Sequence, residues 1–234
     1  MNTKPLLILL LILISGVFYY NLTGNTISNQ ETITTNVTRI IDGDTIETQL
    51  GNIRLLGINT PEKSQPYYQE AKDFLKDNLE GKQVELELQG KDKYSRYLGY
   101  AFYNNKLINE EIIKQGLATL YYYGTDSHKE ELTKAEESAR LNNLGLWKKS
   151  SNFSCIKLIS LEYKDEGNCK NQEQLILDNS CTSLNIIIKD DANHIYKETL
   201  KAGLFIKNYS CIWNDAGDSI YIRDQEGLLL FYRY

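Results

Sequence analysis

Histidine is almost missing from this sequence: His128 and His194 are the only two in 234 residues. Two isolated imidazoles exclude a histidine-rich metal centre and a paired-histidine phosphoryl transfer mechanism. Basic excess is missing too. The net charge of −5 divides into −2 over residues 34–150 and −3 over 151–234. Neither half therefore has the positive surface by which proteins hold nucleic acid through phosphate charge alone. Cysteine does not occur before Cys155; Cys155, Cys169, Cys181 and Cys211 follow at spacings that match no common zinc pattern. No internal repeat or low-complexity segment is present, and 41% hydrophobic with 24% charged residues is a globular composition.

The chain begins with an apolar run. Lys4 precedes Pro5 to Tyr20, and polar residues continue from there to about Thr35. As a helix the run would span about 24 Å, short of a ~30 Å hydrocarbon core unless Leu22 extends it. No small-x-small cleavage pair and no lipobox cysteine follow. Residues 1–22 are expected to be an uncleaved membrane anchor or a cleaved signal peptide, with 23–34 a linker. Either outcome exports the remainder. An even number of cysteines in an exported region predicts two disulfides. Three pairings are possible; Cys155–Cys181 is favoured as a link between early strands, with Cys169–Cys211 by elimination.

From Val37 the pattern is that of strands. VTRIIDGDTIETQLGNIRLLGI alternates β-branched and polar residues and is broken by turn sequences at 42–44 and 50–52. Ala71, Phe74, Leu75 and Leu79 predict a helix over about 67–79. VELELQ (84–89) and YLGYAFY (97–103) read as further strands. Asn109 is expected to cap a short helix that ends at Gly116, and Ser127-x-x-Glu130 to open a third helix as a capping box. About five short strands with three helices suit an α+β barrel at 35–149. After a KKSSN linker, CIKLISLEY, QLILD, LNIIIKD, SIYIRD and LLLFYRY are separated by turn sequences with no helical period. Residues 155–234 are therefore expected to form an all-β sandwich.

Taken singly, the charged residues of the first region are unremarkable. DGD at 42–44 and NTPE at 59–62 are ordinary turns, Arg54 a solvated strand residue, and Arg96 part of an aromatic-covered edge. Together they occur in order as V-x-R-I-I-D-G-D-T, R-L-L-G-I-N-T-P-E and D-K-Y-S-R-Y-L-G-Y, followed by N-x-x-I-I-K-Q-G-L-A and a helix ending at L-G-L-W. On these blocks residues 36–149 resemble the staphylococcal (micrococcal) nuclease family, whose fold is a five-stranded OB-fold barrel with three helices. The resemblance implies calcium-dependent hydrolysis of DNA and RNA to 3′-phosphate products. It implies Asp44, Asn59 and the Thr60 carbonyl as calcium ligands, with Asp42 behind them. Arg54, Glu62 and Arg96 would be the catalytic trio. Lys93 and Tyr94 would contact the nucleotide's terminal phosphate, and Tyr122 or a neighbour in 121–124 would stack on a base.

The chemistry fits these residue types. Phosphodiester hydrolysis needs an activated water and stabilisation of phosphate charge. Hard oxygen ligands suit calcium, two guanidiniums grip phosphate bidentately, and Glu62 would take a proton from water or position it. A cluster of this kind also reconciles nuclease chemistry with the acidic charge, at the cost of weak binding to long nucleic acid. The family usually carries aspartate at position 59, so Asn59 implies a weaker calcium site. The segment after Glu62 is also short, which implies a more open rim.

IIIKDDANHIYK (186–197) and IWNDAGDSIYIRDQEGLLL (212–230) resemble the lamin tail domain, an immunoglobulin-like sandwich. That resemblance implies a binding or spacing element of unknown partner. The stretch between Lys197 and Cys211 is short for it, as though a strand were missing or frayed. Asp190, Asp191, Asp215 and Asp218 read as turn acids rather than a second calcium site. The leading function is thus an exported calcium-dependent nuclease acting on nucleic acid, anchored to a membrane if the first segment is uncleaved. The alternative is a catalytically silent OB module that binds nucleic acid or protein.

Overall fold

Thr35, Val37 and Ile40 face inward from β1 (Thr32–Ile40) while their neighbours face solvent. A bulge between Val37 and Arg39 shifts the alternation by one residue, which is why Ile40 rather than Arg39 reaches the core. The computed structural model describes residues 32–121, 127–163, 173–192, 194–215 and 217–234. The N-terminal apolar segment, Tyr122 and Cys169 lie outside them. No helix among the described residues is long and apolar enough to cross a membrane.

β1 continues through the Asp42–Asp44 turn into β2 (Thr45–Thr48) and then β3 (Gly51–Leu55), both antiparallel. β4 (Gly57–Asn59) leaves this sheet and later pairs with β8 (Thr119–Tyr121). Between them come α1 (Tyr68–Leu79), β5 (Gln83–Lys91), β6 (Tyr97–Tyr103), β7 (Lys106–Leu107) and α2 (Ile108–Lys114). Strand order β3-β2-β1-β5-β6 closes on itself because β3 also pairs in parallel with β6, Arg54 opposite Leu98. The result is the five-stranded closed barrel that the sequence predicts, with α3 (Lys129–Leu141) as its third helix. Ile46, Ile53, Leu55 and Leu86 fill the interior, and α1 covers it with Ala71, Leu75 and Leu79 at intervals of four.

Two expected caps are absent. Asn109 lies inside α2 and is fully buried; its Nδ2 donates to Leu56 O (2.8 Å) and its Oδ1 accepts Ala101 N (3.0 Å). It pins helix to barrel, a use of the amide that local sequence does not reveal. α3 starts at Lys129 with His128 at its cap position and no side-chain cap bond, so Ser127 does not form a capping box. His128 instead bridges Glu87 (2.9 Å) and Glu131 (3.2 Å).

The C-terminal part is all-β, in two sheets. One has the order β13 (Gly203–Tyr209), β10 (Glu173–Asn179), β9 (Ile156–Glu162). The other has the order β12 (Ile195–Leu200), β11 (Leu184–Lys189), β14 (Ser219–Arg223), β15 (Leu228–Arg233). Leu175, Leu177, Ile186, Ile188, Ile220 and Ile222 join one core between them. No strand is lost before Cys211, because β12 and β13 fill that stretch. Both are sheet edges with few buried residues, so their hydrophobic alternation is faint. Cys155 pairs with Cys181 as expected, and Cys211 is also disulfide-bonded.

Residues from 32 to 234 pack as one unit. The KKSSN stretch is not slack: Ser150 N donates to Leu228 O, and Leu228 N to Lys148 O. Trp147 is buried with Ala139, Tyr221 and Leu228, its ring 5.0 Å from that of Phe231. Arg233 on β15 pairs with the buried Glu136 of α3. Glu136 in turn accepts Leu120 N of β8 at 2.9 Å.

Candidate active site

A cleft of about 660 Å³ opens where β3, β4 and the DGD turn meet the 92–96 turn. The turn carries Asp42 and Asp44, and Asp44 N donates to Asp42 Oδ1 (3.1 Å). Gly43 between them is demanded by space, since a Cβ there would meet Ala71 Cβ and Thr60 Oγ1, each at 2.8 Å. Asp44 is buried, accepts three hydrogen bonds and pairs with the Arg54 guanidinium. Arg54 Nε (3.1 Å) and Thr45 Oγ1 (3.1 Å) reach Oδ1, while Thr60 N (3.2 Å) and Thr60 Oγ1 (3.0 Å) reach Oδ2. Burial first, and then the neighbouring Asp44 charge, push the Asp42 carboxyl above the usual carboxylate range.

Arg54 projects from β3 beside this pair. Its guanidinium donates to Leu55 O and, at 2.8 Å, to Ile58 O, so it is held across the β3–β4 corner. Arg96 is held differently. Asp92 Oδ2 accepts its Nε at 2.8 Å and pairs with its NH2 at 2.8 Å, and Asp92 Oδ1 accepts the backbone N–H groups of Tyr94 and Arg96. Burial nudges the Asp92 carboxyl up, but these bonds outweigh it and hold the carboxyl below its usual range. Glu62 faces the cleft from the exposed turn after Pro61. Lys93 and Tyr94 line the rim, with Lys93 Nζ 5.1 Å from the exposed Tyr94 ring.

The structure thus gathers Asp42, Asp44, Arg54, Asn59, Glu62, Lys93, Tyr94 and Arg96 around one cavity, with Thr60 behind Asp44. Tyr122 lies outside the described residues; its neighbour Tyr121 lines the cleft. Of the expected ligands, Asp42, Asp44 and Asn59 line the cleft and Thr60 does not; carboxylate and amide oxygens are a hard set suited to a cation such as calcium and poor for softer metals. Among the described residues no group of three or more His, Cys, Asp or Glu is placed to hold a metal, so any such site depends on the amide and backbone oxygens.

One wall of the cleft comes from the C-terminal sheets. Ala192 lines it, and Asn59 Nδ2 donates to Asp191 O (2.9 Å) and Ala192 O (3.3 Å). Reading the sequence assigned the DDAN acids to a turn. That is where they lie: Asp190 accepts His194 N, Asp218 accepts Asp191 N, and Asp191 accepts Tyr221 OH and Ser219 Oγ. Nothing local in DDAN signals that this turn reaches the cleft.

The sequence that builds this cleft has parallels among known proteins. Residues 52–149 match the family described as Staphylococcal nuclease homologue, a span that takes in Arg54, Asn59, Glu62 and Arg96. The thermonuclease of Staphylococcus hyicus is 35% identical over 134 residues, covering 52% of this chain and 79% of that protein. An uncharacterized endonuclease of Haemophilus influenzae is 39% identical over 124 residues, covering 51% of this chain and 68% of that protein. The staphylococcal-like nuclease CAN1 of Arabidopsis thaliana is 38% identical over 99 residues, covering 42% and 30%. With blocks, barrel and cleft agreeing, this chain belongs to the staphylococcal nuclease family.

Proposed function

We propose that the protein is an exported, calcium-dependent nuclease that hydrolyses DNA or RNA phosphodiesters to 3′-phosphate products. The observation that carries this reading is the convergence of Arg54, Glu62 and Arg96 with Asp44 and Asn59 on a single cleft. Asp44, the Asn59 amide oxygen and the Thr60 carbonyl would hold the ion, with Asp42 behind them. When bound, calcium would supply charge to polarise and neutralise the phosphate. Arg54 and Arg96 line the cleft and would supply guanidinium N–H groups to the phosphate's oxygens as negative charge builds on them. Glu62, exposed at the cleft edge, takes or orients the proton of an attacking water. Lys93 and Tyr94 give the rim a cation and an aromatic face for a terminal phosphate and its nucleoside, and Tyr121 or Tyr122 would stack on a base.

Export rests on the N-terminal apolar run, acting as signal or membrane anchor, and on the Cys155–Cys181 disulfide, a bond of oxidising compartments. The two C-terminal sheets around one core support a lamin-tail-like, immunoglobulin-type arrangement for that part.

The test is single-turnover cleavage of DNA and RNA with excess calcium. Arg96→Ala and Glu62→Ala are expected to slow the chemical step by about 10²–10⁵-fold, and Arg54→Lys to be poor because the bidentate grip is lost. A loss below about tenfold in each variant, or no cleavage by the wild type, would refute the assignment. The second result would favour a silent binding module.

A further inference from the structure

The side chain of Asn59 is tied to a turn of the C-terminal sheets. The Asn59 Nδ2 carries two N–H groups, and the carbonyls of Asp191 and Ala192 stand at 2.9 and 3.3 Å to accept them. Carbonyls only accept, so the amide has one satisfied orientation, nitrogen toward the turn and oxygen away from it. Among the described residues no donor reaches Oδ1, and Asn59 lines the cleft. An aspartate would turn an acceptor-only carboxylate oxygen onto two carbonyl oxygens, an arrangement that electrostatics opposes.

The turn that offers these carbonyls is itself rigidly built. Lys189 Nζ donates to Asp190 O (3.0 Å) and Ala192 O (2.6 Å) from beneath. The Asp191 carboxylate accepts Tyr221 OH (2.7 Å) and Ser219 Oγ (2.9 Å). Arg233 NH2 reaches Tyr221 OH (3.1 Å) and, with NH1, joins this network to Glu136 of α3. Glu136 holds Leu120 of β8, and β8 pairs with β4 so that Thr119 stands opposite Asn59. Backbone and side chain of Asn59 are therefore both fixed by routes that end in the same buried cluster of the C-terminal sheets.

We propose that the turn at Asp191 and Ala192 is a positioning element of the catalytic cleft: its two carbonyls orient the Asn59 amide so that Oδ1 faces a bound cation, and they require asparagine, not aspartate, at position 59. The cation half of this statement rests on the nuclease reading; the docking of the turn does not.

Hydrogen exchange of the full chain without metal tests the docking. Asn59→Asp and Asn59→Ser should each speed exchange across 190–194 by about tenfold, the scale of losing two hydrogen bonds, while β10 and β13 stay as in the wild type. Unchanged exchange at 190–194 in both variants overturns the proposal. Calorimetric calcium titration tests the positioning through Tyr221→Phe, which leaves every cleft side chain in place and removes one hydroxyl from Asp191. Calcium should bind about threefold or more weaker to this variant. Identical affinity overturns the positioning role. A wild type that binds no calcium overturns the nuclease reading and the cation half together, while the exchange result still decides the docking.

Discussion

A single methyl group at Gly43 tests how tightly the acid turn is packed. Its Cβ would lie 2.8 Å from Ala71 Cβ, 2.8 Å from Thr60 Oγ1 and 2.9 Å from Thr60 Cβ, whereas ordinary contact begins near 3.4 Å. Rotating Thr60 moves Oγ1 but not Cβ, and it breaks the bond to Asp44 Oδ2. Ala71 has no rotamer to change and sits on α1, packed into the core. The backbone of the turn or of the helix must therefore shift. Overpacking of this kind costs about 1–3 kcal/mol, offset by about 0.4–1 kcal/mol from the stiffer unfolded chain. A net loss of about 1–2 kcal/mol corresponds to a melting point lower by about 2–8 °C in a unit of this size. Urea and thermal denaturation of Gly43→Ala measure it. Adding Ala71→Gly removes one of the clashes, so the double variant should lose about 1 kcal/mol less than the two single losses together. If Thr60 helps hold the proposed calcium, as the nuclease reading has it, its displacement should weaken calcium binding as well. A Gly43→Ala protein with wild-type stability would refute the packing argument.

Two further outcomes follow from buried charges. Arg233→Met leaves Glu136, only 4% exposed in its side chain, without its ion partner; a loss of about 3 kcal/mol is expected in urea denaturation, and Glu136→Gln combined with it should cost less than the two added separately. Burial lowers the affinity of His128 for its proton, but Glu87 and Glu131 outweigh this, so its pKa in the folded state lies above the usual 6.5. The folded state then binds this proton more tightly than the unfolded chain. The stabilisation is complete below about pH 6.5 and is lost as pH rises through the higher folded value. His128→Gln should flatten that slope in urea midpoints collected across it, and an unaltered slope would remove His128 as its source.

The barrel was legible because alternate residues of β1, β3 and β5 are buried and turn residues separate its strands. β6 emerges at 97–103, the bounds read from YLGYAFY. Side-chain uses that cross between elements were not legible. Asn109 looks like a helix cap in sequence, yet its partners are Leu56 and Ala101, brought near only by the closed barrel. β12 and β13 are not marked by a period because they are edge strands that bury few residues, and in β13 Leu204 and Ile206 are apolar yet exposed, beside Phe205 on the other face. The cleft residues were legible as blocks in a fixed order. Their physical neighbours were not: Asp92, which orients Arg96, reads locally as a turn acid, and Ala192 lies far along the chain from every residue it meets in the cleft.

Asn59 joins these two levels. The resemblance to the nuclease family implies a carboxylate at this position, and Coulomb's law at an effective dielectric of about 20 makes one charge at 4 Å worth about 4 kcal/mol per unit of opposing charge. The structure adds a second reason for a weak cation site. Asp44 already accepts three hydrogen bonds and pairs with the Arg54 guanidinium, so much of its carboxylate is engaged. An ion must compete there with the Arg54 guanidinium. A site short of one charge, whose main carboxylate is already engaged, should hold calcium toward the ~10⁻⁴–10⁻³ M range of extracellular modules. Such a site fills outside a cell and empties at cytosolic calcium. Asn59→Asp then sets two effects against each other, since the added charge tightens the ion and the expelled Asp191–Ala192 turn loosens its ligand. The affinity gained should therefore fall well short of what the charge alone supplies, and a full electrostatic gain in calorimetry would show that the turn does not position the ligand.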